Sequence, residues 1–340
     1  MHQEVFPLNR LLSLSLALLL CIPFAFAESS ADLTAITIAE PVHLIGYLPL
    51  YVAIHEGYFE EEGLAVTVVQ ATGGAHVTAV VSGDAFAVIG GVDSYNFANA
   101  AGTSDPILAI CNCVNRANVY LFARKGLEPA SAAPKDMADF LRGKTIIAGR
   151  YGGSPNVLTR YLAATLGLDP DTDMTLLENA DASTVTAMLK YGQGDIGNGG
   201  EPQISEGVTE GIFEEPFVSF PDLGDYAYSV IGVRKSSIEQ QPEICAAFVR
   251  AMEKALTTVQ TDRETAARVL ALEFPTLTEE GRNAALDRAY EDHLWAENGL
   301  ISQAAVDASM TAVTLSGLWE GAWNYDDMVD MRFVAATEAE

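Results

Sequence analysis

Two pairs of glycines, each followed by a helix start, are the features of this 340-residue sequence best suited to bind a small molecule. The first pair, Gly73 and Gly74, precedes His76. Glycine lets backbone N–H groups approach a ligand, and the positive end of a helix dipole favours an anionic or electron-rich group. His76 could donate to the same ligand, although an ordinary turn and a surface histidine would also account for these residues.

The second pair, Gly152 and Gly153, lies in the most informative loop. Ser154 as N-cap and Pro155 at the first helical position predict a helix start whose N–H groups stay open to a ligand oxygen. Tyr151 would add a flat wall for a ring or an alkyl chain. A nucleotide-binding glycine loop is excluded because the loop has neither a Walker lysine nor a third spaced glycine.

Two further helix starts are candidates for the same site. Tyr47, Leu48 and Pro49 open one helix, and Asp93 and Ser94 open another. In an open α/β sheet, ligands bind beyond the carboxyl ends of the strands, where loops lead into helices. Alternatively, Tyr47 only covers the core, and Asp93 or Ser94 only caps a helix.

Four side chains outside these loops complete the predicted site. Arg116 and Asn118 lie where the chain is expected to cross between lobes, and Arg116 is the cation expected for a carboxylate or sulfonate. Tyr228 lies on the return strand and could stack on the ligand. Glu201 would accept hydrogen bonds from amino or hydroxyl groups, or else is a first-turn acid stabilised by the helix dipole. The ligand therefore stays open between an anion and an amino-bearing ring such as a pyrimidine.

No catalytic arrangement accompanies these binding residues. The sequence contains no Gly-x-Ser-x-Gly elbow, its histidines lack metal-ligand spacing, and no Ser/His/Asp arrangement is suggested. We therefore predict no catalytic residues, no metal site and no cofactor. A formal charge of −27 and a pI near 4.3 argue against nucleic acid as a partner, since phosphates would be repelled.

The first 27 residues predict export. An apolar run over residues 11–22 is followed by Pro23 and by Ala25-Phe26-Ala27, the small-x-small pattern that a signal peptidase cuts, here before Glu28. Leu20 before Cys21 argues against lipid attachment, so a free periplasmic protein is expected. Three cysteines remain after cleavage, and we interpret them as small buried residues: Cys111, Cys113 and Cys245.

The elements that position the candidate residues alternate as strand and helix, which predicts an α/β fold with doubly wound sheets. Strands are predicted at residues 35–39, 65–69 and 85–89, and the same alternation restarts after a long strand-like stretch at 107–124. A return crossing is expected at 226–233, followed by helices that pack on the first lobe. The predicted organisation is a signal peptide (1–27), a discontinuous lobe I (28–117 and 232–340) and lobe II (118–231).

A short internal echo supports two lobes of similar topology. Residues 77–79, 83–84 and 90–91 read Val-Thr-Ala, Gly-Asp and Gly-Gly, and residues 185–187, 194–195 and 199–200 repeat these letters. Both copies fall at the same place in the predicted topology.

The segment from Tyr47 to Phe59, together with Glu62-Gly63-Leu64, Ser82-Gly83-Asp84-Ala85 and Glu201-Pro202, resembles the periplasmic binding proteins for nitrate, taurine, alkanesulfonates and thiamine pyrimidine precursors. This resemblance implies the type II periplasmic binding fold, in which two α/β lobes joined by two hinge strands close on a small-molecule ligand. It also implies an ABC permease and ATPase as partners, and a monomer is expected.

Two alternatives to an importer component stay open at this point. The resemblance extends to fungal thiamine-pyrimidine synthases, which are iron-dependent enzymes with a dense cysteine motif. This chain offers only Cys111-Asn112-Cys113 and carries an export signal, and both departures count against the enzyme. A periplasmic component that senses a ligand for a membrane receptor could have the same sequence.

Overall fold

Two mixed α/β sheets with flanking helices organise the chain. The computed structural model describes residues 33–179 and 181–334, which belong to one compact unit. The predicted signal peptide, residues 1–27, lies outside the described residues. The strands in chain order are Thr34–Glu40 (β1), Leu64–Gln70 (β2), Ala87–Gly90 (β3), Ile107–Val114 (β4), Tyr120–Ala123 (β5), Thr145–Ile147 (β6), Thr175–Leu177 (β7), Ile196–Gly199 (β8), Val218–Ser219 (β9) and Ser229–Arg234 (β10).

The two sheets have matching topologies. The first has the strand order β2-β1-β3-β10-β4 and the second has the order β7-β6-β8-β5-β9. In each, the second strand pairs in parallel with both neighbours, and the fourth strand is antiparallel to the third and the fifth. The internal echo of the sequence leads into β3 and β8, which occupy the same third position in the two sheets. The repeated letters thus mark equivalent strands.

The helices in chain order are Leu48–His55 (α1), Tyr58–Glu61 (α2), Ala75–Ser82 (α3), Val92–Ala100 (α4), Pro134–Leu141 (α5), Ser154–Thr165 (α6), Val185–Lys190 (α7), Gln203–Thr209 (α8), Lys235–Gln240 (α9), Pro242–Thr261 (α10), Arg263–Glu273 (α11), Glu279–Glu291 (α12) and Gln303–Leu315 (α13). The apolar spacing of residues 48–61 predicts a single amphipathic helix, and this prediction is wrong because the segment forms two helices, α1 and α2. Gly57 has φ +73°, a left-handed conformation that ends one helix before the next begins.

The chain passes between the sheets twice among the described residues. It leaves β4 for β5 through residues 115–119, and it returns from β9 to β10 through residues 220–228. The second crossing is hydrogen-bonded to the first and to the end of β4, because Tyr226 N donates to Asn115 O over 3.1 Å and Tyr228 N donates to Val114 O over 3.2 Å. These paired segments are the natural place for a hinge.

The C-terminal helices pack against elements beside both sheets. Helix α10 packs on α1 and β4, as expected for helices that cover the first sheet. Helix α13, in contrast, packs against both α4 and α6, and α12 packs against α8. The C-terminal region therefore contacts helices beside both sheets. The three cysteines are free and buried, as expected for small core residues.

Candidate functional site

A cavity lies where the carboxyl ends of the parallel strands of both sheets face each other. We call it the central cavity, and its volume is about 120 Å³. Since a cavity of roughly 150 Å³ holds benzene, a ligand no larger than a single ring fits this space. Its lining residues are Pro41, Val42, Leu44, Tyr47, Gly73, Gly74, His76, Gly90, Gly91, Ser94, Asn118, Val119, Gly149, Arg150, Gly153, Ser154, Pro155, Asn179, Ala182, Gly199, Gly200, Gln203, Tyr228 and Ser229.

Three helices begin at this cavity without a side-chain cap. The N-cap residues of α3, α4 and α6 are Gly74, Gly91 and Gly153, and none has a side chain to accept from the first turn. The expected N-cap role of Ser154 is therefore wrong, because Gly153 takes the extended cap conformation and Ser154 is the first helical residue. The positive end of each helix dipole therefore lies at this wall, although in α3 Ala75 N and His76 N already donate to Thr72 O and Ala71 O.

Arg150 brings a full positive charge to the same wall. Its guanidinium carbon lies 3.6 Å from the place where a Cβ on Gly74 would stand, so it spans the gap between the loops after β6 and β2. Nη1 donates to Tyr151 O over 3.0 Å. Among the described residues, no carboxylate lies within 4.0 Å of this guanidinium, so Arg150 has no ion-pair partner. Burial lowers the pKa of Arg150, and the nearby charge of Asp93 opposes this effect.

The expected anion-binding role of Arg116 is not supported by its position. Arg116 forms an ion pair with Asp225 and lines a separate surface groove near the crossings. The cation at the cavity is therefore Arg150, which the sequence offered in the same loop as the second glycine pair.

His76 lies at the start of α3 as a buried, neutral side chain rather than on the surface. Burial and the charge of Arg150 lower the pKa of His76 to about 4, so the imidazole is uncharged at neutral pH. Its Nδ1 and the Oε1 of Gln203 are buried polar atoms without a partner among the described residues. Since buried polar groups are normally hydrogen-bonded, both atoms are available to a ligand.

Two tyrosines give the cavity its aromatic surface. Tyr47 and Tyr228 both line it and are almost fully buried. Burial raises the pKa of each phenol well above its usual value, so both stay neutral. Asn118 and Asn179 add amide groups to the lining, and Ser94, Ser154 and Ser229 add hydroxyls.

Several predicted site residues lie outside the lining. Leu48 and Pro49 are buried in the first turn of α1. Gly152 is not part of the cavity wall, and Tyr151 is 55% exposed, with the Arg160 guanidinium carbon 5.2 Å from its ring centre. These residues shape the protein around the cavity without facing it. Asp93 is buried directly behind Ser94 and Ser154.

Glu201 is also buried outside the cavity, and its carboxylate is already satisfied. It accepts hydrogen bonds from the N–H and the hydroxyl of Ser205, each over 3.0 Å, and from Nε of Arg288 over 3.0 Å. Burial raises the pKa of Glu201, and Ser205 and Arg288 oppose the shift. An interaction between this carboxylate and a ligand amino group is therefore not supported.

The sequence interpretation missed several lining residues, above all Arg150, which precedes the second glycine pair in the same loop. Pro41, Val42 and Leu44 follow β1, where the rule that ligands bind at carboxyl ends could have found them. Asn179 follows β7 in the same way. Gln203 had no sequence signal, because its position depends on how α8 begins after β8.

The described residues hold no group of three or more His, Cys, Asp or Glu side chains arranged for a metal ion. In the part of the chain that the structure describes, no helix combines the length and apolar character needed to cross a membrane.

Comparison with known proteins places this geometry in a family. A model of the family described as "NMT1/THI5 like" matches residues 45–266, which is more than half of the chain. YtlA of Bacillus subtilis (strain 168), described as a binding protein, is 24% identical over 339 residues, covering 98% of this chain and 100% of that protein.

Solved structures show the same fold. The ligand-binding component of an ABC-type import system from Staphylococcus aureus, with zinc bound, has a TM-score of 0.70 and 14% identity, covering 88% of this chain and 97% of that one. The alkanesulfonate-binding protein SsuA from Xanthomonas axonopodis pv. citri, bound to MOPS, has a TM-score of 0.69 and 17% identity, covering 86% and 96%. The expected resemblance and fold class are confirmed. The chain belongs to the NMT1/THI5-like family and has the two-sheet α/β fold of the type II periplasmic binding proteins.

Proposed function

We propose that this protein is the solute-binding component of an ABC importer and that it binds a small molecule carrying one anionic group and at least one hydrogen-bond donor. The observation that carries the proposal is Arg150, a cation at the cavity wall with no ion-pair partner among the described residues. Three uncapped helix starts add partial positive charge around it.

The donor requirement comes from two atoms of the lining. Gln203 Oε1 can only accept a hydrogen bond, and it has no donor among the described residues. Neutral His76 offers Nδ1 as donor or acceptor according to its tautomer. A small sulfonate or carboxylate that also carries an amino or hydroxyl group satisfies both sets of partners, and the volume of about 120 Å³ limits its size.

The sequence alone left the ligand open between an anion and an amino-bearing ring, whereas we propose an anion. The case for a purely amino-bearing ring depended largely on Glu201, whose carboxylate is satisfied by Ser205 and Arg288. Tyr47 and Tyr228 still provide aromatic walls, so a ring or a short alkyl chain can join the anionic group.

Transport by this protein would use closure of two lobes. We propose lobe I as 28–117 and 232–340 and lobe II as 118–231, because the strands of each sheet come from these segments except for the first half of β10, residues 229–231, which lies on the lobe II side of the boundary. A ligand that contacts both lobes favours the closed form. Outside the cytoplasmic membrane, the permease would bind this closed, liganded form, and its ATPase would drive transport of the ligand. Export would leave Glu28 as the first residue, which the mass of the purified protein tests.

Native mass spectrometry of the freshly purified protein tests the proposal, followed by thermal-shift titration with methanesulfonate, taurine, acetate, nitrate and a neutral aminopyrimidine. We expect an anion to raise the melting temperature of the wild type. We expect Arg150→Gln to weaken its binding at least tenfold, because a charge-assisted hydrogen bond is lost.

Arg142→Gln is the matched control, since Arg142 makes ion pairs with Asp139 and Asp173 on the surface of the same half. Its anion affinity should equal that of the wild type. Equal binding of the aminopyrimidine by the wild type and by Arg150→Gln, with no response to any anion, would refute the anionic ligand.

A further inference from the structure

A side-chain hydrogen bond joins the two halves of the protein directly beside the central cavity, in addition to the backbone hydrogen bond from Ile45 N to Glu201 O over 3.3 Å. Ser154 Oγ, in the first turn of α6, lies 3.2 Å from Oδ1 and 3.3 Å from Oδ2 of Asp93, in the first turn of α4. Helix α4 follows β3 of the first sheet, and α6 follows β6 of the second. The contact therefore spans the gap across which the proposed lobes would move.

Asp93 is an unusual residue for this position because its carboxylate is almost completely buried. It is 1% exposed, and the hydrogen bonds that the structure gives it come from Ser94 N, over 2.9 Å, and from Ser154 Oγ. Burial of a carboxylate is costly unless hydrogen bonds or opposite charge compensate. Arg150 supplies opposite charge nearby, also from the second half. Two of the groups that stabilise Asp93 thus lie across the gap.

Gly91 shows that this close approach depends on a missing side chain. A Cβ at position 91 would stand 2.1 Å from Asp93 Oδ1 and 2.6 Å from Ser154 Oγ, so an alanine would force these groups apart. Gly91 has an extended backbone with φ −69°, which any residue could adopt. The glycine is therefore required by the space that the hydrogen bond occupies and not by backbone conformation.

We propose that Asp93 and Ser154 form a latch that holds the two halves closed over the cavity. Asp93 is a positioning residue in this device, since it does not line the cavity itself, whereas Ser154 does. The latch rests on the proposed closure of two lobes. The latch makes the affinity for the ligand depend on the fraction of protein in the closed form as well as on the ligand's own contacts. A ligand that needs the closed form binds with an apparent affinity proportional to that fraction.

The test substitutes a residue in one half of the protein and measures amide hydrogen exchange in the other half, without any ligand. Amide hydrogen exchange of the unliganded, purified protein is followed in peptides that cover α4 and α6. Ser154→Ala removes a hydroxyl whose hydrogen bonds in the structure go to Asp93 alone. We expect it to speed exchange at the start of α4 about tenfold, the effect of losing a hydrogen bond to a charged group. Asp93→Ala and Gly91→Ala should do the same at the start of α6.

The double variant Asp93→Ala/Ser154→Ala should exchange no faster than either single variant, because both remove one interaction. Ser236→Ala is the matched control: its hydroxyl also bonds an aspartate, Asp105, but within the first half. It should leave α4 and α6 unchanged. Three outcomes would each overturn the latch. Exchange could change only in the half that carries the substitution, or the two effects could multiply in the double variant. Exchange in the wild type could also already be as fast as in Ser154→Ala. These outcomes do not depend on whether any anion binds, so a failed ligand search is distinguishable from a failed latch.

Discussion

His43 and His76 are both partly or largely buried, yet their pKa values move in opposite directions because only His43 has carboxylates beside it. Burial and Arg150 lower the pKa of His76 to about 4. Burial also acts to lower the pKa of His43, but Glu273 and Glu40 outweigh it and raise the pKa to about 9. His43 Nδ1 lies 3.0 Å from Glu40 Oε1, and Nε2 lies 3.3 Å from Glu273 Oε2. His43 therefore holds the end of β1 to the end of α11 as a cation.

Replacing His43 with glutamine should change how stability depends on pH. The folded pKa of about 9 lies above the unfolded value of 6.5, so the stabilisation is fully present below pH 6.5 and is lost as pH rises through about 9. We expect His43→Gln to lose on the order of 1 kcal/mol near pH 6, after screening by solvent, and to match the wild type more closely near pH 10. Urea unfolding from pH 5 to pH 10 measures this. A constant difference between the two proteins across that range would contradict the assignment.

Arg150 and Arg116 show how far single residues could be assigned from the sequence. Arg116 was selected from the sequence as the anion-binding cation and Arg150 was not, because sequence gives no access to the partner that Arg116 finds in Asp225, more than 100 positions away. The same limit applies to Glu201, whose partner Arg288 is on α12. Glycine-marked helix starts were predictable because they depend on neighbours in the chain. Which charges remain free depends on the tertiary fold.

At the level of elements, the alternation of strands and helices was predictable from the sequence. The spacing of apolar residues indicates the type of element, and glycines mark where elements end, and both signals depend only on neighbouring residues. The strands predicted at residues 35–39, 65–69 and 85–89 lie close to the observed bounds of β1, β2 and β3. Helices α8, α9 and α12 were not given bounds, although a helix start was expected beside Glu201 and helices were expected after the return crossing. Helix α8 has only seven residues and contains Gly207, a residue that normally weakens a helix. Its stability comes from packing against α7 and α12, which no local pattern reports.

Gly207 provides the test at this level. A Cβ at position 207 would stand 1.9 Å from Cζ of Phe213, whose ring stacks on Phe122 with centroids 4.3 Å apart. Gly207→Ala would raise helix propensity, but overpacking of this core should dominate and destabilise the protein by about 1–3 kcal/mol. Thermal unfolding monitored by circular dichroism measures the change.

Gly281→Ala in α12 is the matched control for this substitution. Its Cβ would meet only the hydroxyl of Thr278, at 3.3 Å, so the substitution should be close to neutral or stabilising. An unchanged melting temperature for Gly207→Ala would show that the Phe213 ring moves at little cost.

At the scale of the whole molecule, the C-terminal helices connect the two halves in addition to the two crossings. Arg288 on α12 donates through Nε to Glu201 Oε1 over 3.0 Å and through Nη2 to Glu215 Oε2 over 2.7 Å. Both acids lie in the segment that contains the second sheet. The same helix packs on α11, which contacts α1 beside the first sheet. Any movement of the halves must therefore carry α12 with one of them or break this ion pair.

Arg288→Gln should be strongly destabilising because it leaves Glu201 as a buried carboxylate without its cation. Removal of one partner of a buried ion pair typically costs about 3–5 kcal/mol. Burial already raises the pKa of Glu201, and loss of Arg288 would raise it further, so the folded state would take up a proton more readily. The loss of stability should therefore be larger at pH 8 than at pH 5, since acid neutralises the unpaired carboxylate. Urea unfolding at the two pH values measures it.

The double variant Glu201→Gln/Arg288→Gln separates this cause from a simple loss of packing. A neutral amide at position 201 can still accept from Ser205, so the double variant should recover most of the stability lost at pH 8 and show little difference between the two pH values. If the double variant is as unstable as Arg288→Gln alone, the buried charge is not the cause. Because Glu201 does not line the central cavity, Glu201→Gln should also keep the anion affinity of the wild type, whereas Arg150→Gln should not. That contrast assigns the carboxylate to holding α12 in place and leaves recognition of the anionic group to Arg150.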